Sequence, residues 1–214
     1  MADESEATDG VVDGDLIVKV RRLHRRDLNR VWEFLKRVFR DVNRETVEYQ
    51  RPRTKQRFLD VYEQPGIEQL LFEVEGDKGK ADIVGYAECA FQISGADNWM
   101  NERYFTRRDM RPMYVEELAV SVDYQGRGIG NFLMDAITVA ARVGGVQRFT
   151  ARCLAENHPM RAILERFGVE WEREEPGVVT TDFEVPDIDK LRIDSMKVNE
   201  IRSMTREVVR ASGG

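Results

Sequence analysis

The sequence predicts a mixed α/β sheet with helices on its faces, and three observations carry that reading. Short runs of alternating apolar and polar residues are interleaved with longer runs at helical spacing. Two pairs of strand-like runs flank the turn sequences Gly76-Asp77-Lys78-Gly79 and Glu175-Pro176-Gly177, as hairpins do. Near mid-chain, an apolar strand passes through a glycine-rich turn directly into a helix.

Leu16 to Val20 alternates apolar and charged residues and reads as a first strand. Arg26-Asp27 can start a helix, continued by Val31, Phe34, Leu35, Val38 and Phe39 at helical spacing. A polar, basic segment follows through Phe58-Leu59. Gln69 to Glu75 and Asp82 to Ile93 are rich in β-branched and aromatic residues and read as the first hairpin. Ser94 to Pro112 has little periodicity, and its Trp99, Tyr104 and Phe105 among charges predict an ordered loop or short helix beside a cleft. Tyr114 to Val122 then reads as strand, Gly130 to Val143 as helix, Arg148 to Leu154 as strand and Pro159 to Phe167 as helix. Glu170 to Arg173 and Val178 to Val185 form the second hairpin, and an amphipathic helix with Met196, Ile201, Met204 and Val208 ends the chain. No internal repeat is visible. The predicted order is β-α-β-β-β-α-β-α-β-β-α.

A chain of 214 residues, 42% hydrophobic and 34% charged, fits one globular domain that buries a core without metal or disulfide. No apolar run approaches the roughly 20 residues needed to cross a bilayer. Residues 1–15 are acidic and turn-rich with no apolar h-region; they read as a disordered tail ahead of a single domain over 16–214, in a cytoplasmic protein. Cys89 and Cys153 then read as reduced, buried thiols. With 33 basic and 39 acidic residues the net charge of -6 opposes a nucleic-acid or membrane surface. The basic runs Arg21 to Arg26 and Arg51 to Arg57 read as solvated faces, or else as contact surfaces for an acidic partner. Two histidines, His24 and His158, without other ligands at metal spacing predict no metal site.

The chemistry concentrates at Gln125-Gly126-Arg127-Gly128-Ile129-Gly130, between the strand ending Leu118-Ala119-Val120 and the following helix. Clustered backbone amides and the positive end of a helix dipole make this an anion site. Glycines at 126, 128 and 130 let backbone approach a pyrophosphate, and Arg127 can add charge-assisted hydrogen bonds. The spacing differs from the G-x-G-x-x-G of dinucleotide folds, and no Lys-Ser or Lys-Thr closes a P-loop.

The segment VEELAVSVDYQGRGIGNFLMDAI resembles the acetyl-CoA signature of the GNAT superfamily, an apolar strand, a turn, Q/R-x-x-G-x-G/A and a helix. The resemblance implies the GNAT fold: a mostly antiparallel mixed sheet whose two central parallel strands splay to hold the cofactor. It implies acetyl-CoA as cosubstrate, with Leu118, Ala119 and Val120 on the pantetheine arm and Gln125, Gly126, Arg127, Gly128, Ile129 and Gly130 on the pyrophosphate. Asn131 would begin the helix. Asn157-His158-Pro159-Met160 with Arg166-Phe167-Gly168 is similar to the family's second signature, which implies Asn157 on the pantetheine arm and Arg166 near the CoA phosphates. The stretch from DYQGRGIG to WEREEPGVVTTDFEVP, about the last hundred residues, most resembles the catalytic domain of actinobacterial protein lysine acetyltransferases, including the mycobacterial enzymes regulated by cyclic AMP. The chain has no room for their cyclic-nucleotide domain, so the expectation is that it is unregulated or regulated differently.

Acetyl transfer requires an ammonium to lose a proton, which a carboxylate in the cleft can accept. Glu117 is the first candidate, on the strand face opposite Leu118 and Val120; Glu116 is the second, on the other face unless a bulge turns the strand. Matched without gaps, the catalytic glutamate of the resembling enzymes falls opposite Val115, which regular alternation puts on the same face as Glu117. The tyrosine that serves many family members as acid is replaced by Leu164; Tyr124 reads as a packing residue and His158 as a cap. Three functions remain: acetylation of protein lysines, acetylation of a small amine, and a silent acetyl-CoA-binding sensor. No nucleic-acid, membrane or metal partner is expected, and monomer and homodimer stay open.

Overall fold

The computed structural model describes residues 8–12, 16–42, 54–62, 64–76, 79–91, 107–175 and 177–212. Among the described residues eight strands form one sheet: β1 Thr8–Val12, β2 Leu16–Arg22, β3 Ile67–Glu75, β4 Ala81–Ala90, β5 Pro112–Val120, β6 Arg148–Leu154, β7 Glu172–Glu175 and β8 Val178–Glu184, in the spatial order β1-β2-β3-β4-β5-β6-β8-β7. All neighbours are antiparallel except β5 and β6, which run parallel. The helices are α1 Leu28–Val42, α2 Lys55–Tyr62, α3 Ile129–Val143, α4 His158–Glu165 and α5 Ser195–Ser212.

The predicted mixed sheet with flanking helices is present, and two elements add to the expected order. Thr8–Val12, expected within a disordered tail, is instead a strand paired residue for residue with Leu16 to Val20. This strand occupies the backbone donors and acceptors that β2 would otherwise leave at the sheet edge. The basic segment around Phe58 forms α2, because Phe58 and Val61 share a helical face and bury it. The turn residues 77–78, the basic residues 51–53 and most of the 94–112 segment, with Trp99, Tyr104 and Phe105, lie outside the described residues.

Both faces of the sheet are covered, which is why β3 and β4 are buried along most of their length, polar residues included. On one face Leu133, Met134 and Ile137 of α3 pack on Val84, Met113 and Phe149, with Val198 and Ile201 of α5 in the same cluster. Gly85 is what lets α3 come so close: a Cβ there would lie 2.9 Å from Leu133 Cδ1 and 3.3 Å from Phe72 Cβ. On the other face Val31, Phe34 and Leu35 of α1, with Phe58 of α2, cover Leu71, Tyr86 and Ala119.

The entry to α1 is fixed by a buried ion network. Arg21 on β2 donates through Nη1 and Nη2 to Asp27 (2.6 and 3.0 Å) and through Nε to Glu73 on β3 (2.7 Å). Asp27 also accepts from the backbone N–H of His24 at 3.1 Å, as a helix cap does. Burial pushes the Asp27 carboxyl up, but the Arg21 guanidinium outweighs that and holds it below the usual range. Asp27→Ala leaves Arg21 with Glu73 alone, and we expect a loss of about 1–3 kcal/mol at pH 7, measured by urea unfolding. A depressed carboxyl stabilises the fold above its unfolded-state value and ceases to do so as pH falls through the folded one. The gap between wild type and variant therefore closes below about pH 4.

Candidate active site

The site begins with a fault in strand register. Across β4 and β5, Glu88 lies opposite Glu117 but Cys89 lies opposite Val115, so Glu116 is an extra residue with no counterpart on β4. Such a bulge adds twist and bends its strand. On its other side β5 pairs with β6 only at Pro112/Arg148, Met113/Phe149 and Tyr114/Thr150. Beyond these rungs the two parallel strands separate, and a cleft of about 550 Å³ opens between them. Val115 to Val120 form one wall and Ala151 to Leu154 the other; Asn157, Met160 and Ile163 of the α4 region close one side, and Val38 reaches in from α1.

The bulge corrects one expectation about the carboxylates. Val115 belongs to the apolar cluster under α3, whereas Ala119, two residues past Glu117, belongs to the cluster under α1. Glu117 therefore does not share a face with Val115; the extra residue turns the strand between them. Both Glu116 and Glu117 still line the cleft, Glu117 buried and Glu116 half-buried.

At the other end of the cleft the glycine loop divides its labour in a way spacing alone did not show. Gly126 and Gly128 have φ of 76° and 82°, left-handed conformations that glycine takes without cost. Gly130 has another reason: a Cβ there would meet Ile163 Cδ1 at 2.6 Å, so it lets α3 close on α4. Gly128 is the N-cap of α3 and no side chain caps that end, which leaves the first-turn amides and the dipole to an anion. The contrast with α4 is direct, since Asn157 caps it by accepting from Met160 N at 3.1 Å. Gln125 Nε2 donates to the Val120 carbonyl at 3.4 Å, tying loop to strand, and the Arg127 guanidinium sits 5.7 Å from the Tyr124 ring centre.

Of the expected cofactor residues, Leu118, Ala119, Val120, Gln125, Gly126, Ile129, Gly130 and Asn157 line one continuous cleft. Arg127, Gly128 and Asn131 adjoin that lining in the loop and the first turn of α3. Arg166 is engaged elsewhere. Its guanidinium donates to Asp135 and to the Asn131 carbonyl, and it stacks over Phe167 at 4.3 Å. Asp135 also accepts from the Arg192 backbone at 3.3 Å, so one buried carboxylate joins α3, the end of α4 and the approach to α5. Sequence reasoning missed Arg152, Cys153, Glu156 and Ile163 in the lining; β6 carried no motif, and only its parallel partnership with β5 brings it here.

A family model described as Acetyltransferase (GNAT) family matches residues 28–169. The chain belongs to the GNAT acetyltransferase family. It is similar to the Acetyltransferase Pat of Mycolicibacterium smegmatis, 50% identical over 99 residues, 45% of this chain and 30% of that protein. In structure it is similar to a cAMP-binding acyltransferase from Mycobacterium smegmatis, with TM-score 0.60 and 26% identity, covering 97% of this chain and 57% of the other. The GNAT domain of S. lividans PAT has the same fold, with TM-score 0.62 and 21% identity over 86% of this chain and 99% of that one. The chain thus spans less than two thirds of the length of both mycobacterial relatives. Among the described residues no group of side chains could hold a metal ion, and no helix is long and apolar enough to cross a membrane.

The cysteines of this GNAT domain are both free and buried. Burial, with the nearby carboxylates of Glu68, Glu88 and Glu116, pushes the Cys89 thiol well up. Burial also raises Cys153, against the opposing charge of Arg161, to about 11. At neutral pH each is therefore a neutral thiol, not a thiolate nucleophile.

The placement of Arg166 gives a test. Arg166→Ala leaves Asp135 buried without its cation, which we expect to cost about 3–5 kcal/mol in urea unfolding. If Arg166 served the cofactor phosphates instead, acetyl-CoA affinity would fall at unchanged stability.

Proposed function

We propose that this chain transfers the acetyl group of acetyl-CoA to an amine, and that the amine is a lysine side chain of a protein. One observation carries the reading: a single cleft joins an uncapped helix N-terminus, suited to a pyrophosphate, to two glutamates at the splay of parallel strands. Where β5 has left β6, its edge offers backbone donors and acceptors along Val115 to Val120, which suits the amide-bearing pantetheine arm. Gly126 to Gly130 hold the pyrophosphate, with Arg127 beside them, and Asn157 borders the arm from the opposite wall.

Glu117 takes the proton from the incoming ammonium, directly or through water. The freed amine attacks the thioester carbon; a C–N bond forms, the C–S bond breaks, the thiolate leaves, and the nitrogen gives up its second proton to water. The neutral, buried state of both cysteines supports direct transfer over an acetyl-cysteine intermediate. Leu164, at the position of the family's usual acid, is fully buried, so the thiolate is protonated from water. The likeness of the second half to protein lysine acetyltransferases supports lysine as acceptor.

Labelled acetyl-CoA incubated with lysine peptides and with small amines tests the acceptor. Labelled peptide is the expected product; label only on small amines overturns the lysine reading. Gly128→Val, which forces a branched residue to φ near +80°, is expected to abolish acetyl-CoA binding by calorimetry while the far-UV spectrum is retained; unchanged affinity would remove the loop assignment.

Glu117→Gln keeps size but cannot take the proton, so turnover should fall roughly 100-fold to 10,000-fold at nearly constant acetyl-CoA affinity. Part of that loss should return at high pH, where more acceptor amine is neutral. If Glu116→Gln is the crippled variant instead, the role passes to Glu116.

A further inference from the structure

The parted strands present two unlike faces to the inner end of the cleft. Met113 and Phe149 form one rung of the β5–β6 ladder and Tyr114 and Thr150 the last, so Val115 and Ala151 stand where the next rung would have been. Both face α3, as Met113 and Phe149 do, since all four belong to the apolar cluster there. They line the cleft while only 8% and 2% exposed, which makes them its closed end. Behind them Met113 and Phe149 are wholly buried. On the opposite face the wall is polar: the bulge turns Glu117 toward α1, and alternation from Ala151 puts Arg152 on that side too.

This asymmetry sorts the two halves of the proposed reaction. With the pyrophosphate at Gly126 to Gly130 and the arm along the β5 edge from Val120 toward Val115, the thioester arrives at the inner end, and the acceptor approaches on the side of Glu117. The acyl chain is left with the apolar side. There a methyl group meets hydrocarbon on both strands, and a long chain meets side chains packed at interior density, which extra carbons must displace. The two strands contribute unequally. Val115 presents a branched side chain and Ala151 only a methyl, so what space there is beyond an acetyl group lies on the β6 side.

We propose that Val115 and Ala151 are the residues that determine specificity for the acyl group, and that the chain accepts the short apolar acyl groups acetyl and propionyl and rejects butyryl and longer ones. This rests on the reading of the cleft as an acyl-CoA site serving an amine, and it names the acyl class of that site.

The experiment uses the full chain and the CoA thioesters of acetate, propionate, butyrate and hexanoate. Calorimetry without an acceptor reads the pocket in affinity, and transfer to a lysine peptide reads it in kcat/KM. In the wild type both should hold within about 3-fold from acetyl to propionyl and fall about 10-fold at butyryl, the scale of one methylene in a fitted apolar pocket. Val115→Ala should move that fall outward, to hexanoyl, and Ala151→Val should move it inward, to propionyl. The opposed signs separate a pocket wall from general loosening, which would weaken all four thioesters together. Should Val115→Ala fail to fold, because it opens a cavity in the α3 cluster, the wild-type series and Ala151→Val still decide. A wild-type series with no fall at butyryl, or variants that shift it in one direction or not at all, would overturn the proposal. If the fall appears in binding but no amine is acylated, the amine-transfer reading fails and the pocket stands. If amines are acylated equally well at every chain length, only the pocket fails.

Discussion

One extra residue in one strand governs the geometry of this molecule. Glu116 has no counterpart on β4, and β5 must bend to absorb it. Three consequences follow from that bend: β5 leaves β6 after three rungs, the backbone of the cleft wall is released from its ladder, and Glu117 turns to the face of α1. A regular strand would have continued the parallel ladder, closed the cleft and put Glu117 under α3 among apolar side chains. The remaining sheet carries this fault because it is anchored on both sides, by α3 seated on Gly85 and by the Arg21, Asp27 and Glu73 network at the entry to α1. The cleft is an opening held between rigid halves.

What the sequence made legible was whatever depends on neighbours in the chain. Periodicity located the central strands and α3 to within a few residues, and the glycines at 126 and 128 marked a turn that only left-handed backbone completes. What it hid depends on register and on distant partners. A bulge leaves no signature in the run Met113 to Val120, so counting by two put Glu117 and Val115 on one face, although Glu117 does lie opposite Leu118 and Val120 as alternation expects. The third glycine of the loop belongs to a helix contact with Ile163, 33 positions away in the chain, which no spacing reveals. Arg166 fitted a pattern as a phosphate contact, yet Asp135, also on a helix, claims it through the fold. β1 was hidden for a related reason: the five residues TDGVV carry no hydrophobic alternation, and it is a strand through the backbone it shares with β2.

The distribution of polar groups around the cleft matches the unequal difficulty of the two proton transfers in the proposed reaction. A lysine ammonium has a reference value of about 10.4, so at neutral pH almost none of it is nucleophilic, whereas a simple thiol lies near 8.5. The leaving group is thus the weaker base of the pair and departs as thiolate without an acid. Help is needed on the acceptor side, and there the chain places Glu116 and Glu117 on the cleft wall. On the thioester side Leu164 fills the place of an acid with hydrocarbon, and Cys153 stays neutral on the opposite wall. A tyrosine at 164 would bring a hydroxyl that needs a partner in the fully buried space that leucine fills. In the proposed reaction the same energetics that call for a base on the acceptor side dispense with an acid on the thioester side, so the departure from the family's usual pattern is compatible with transfer.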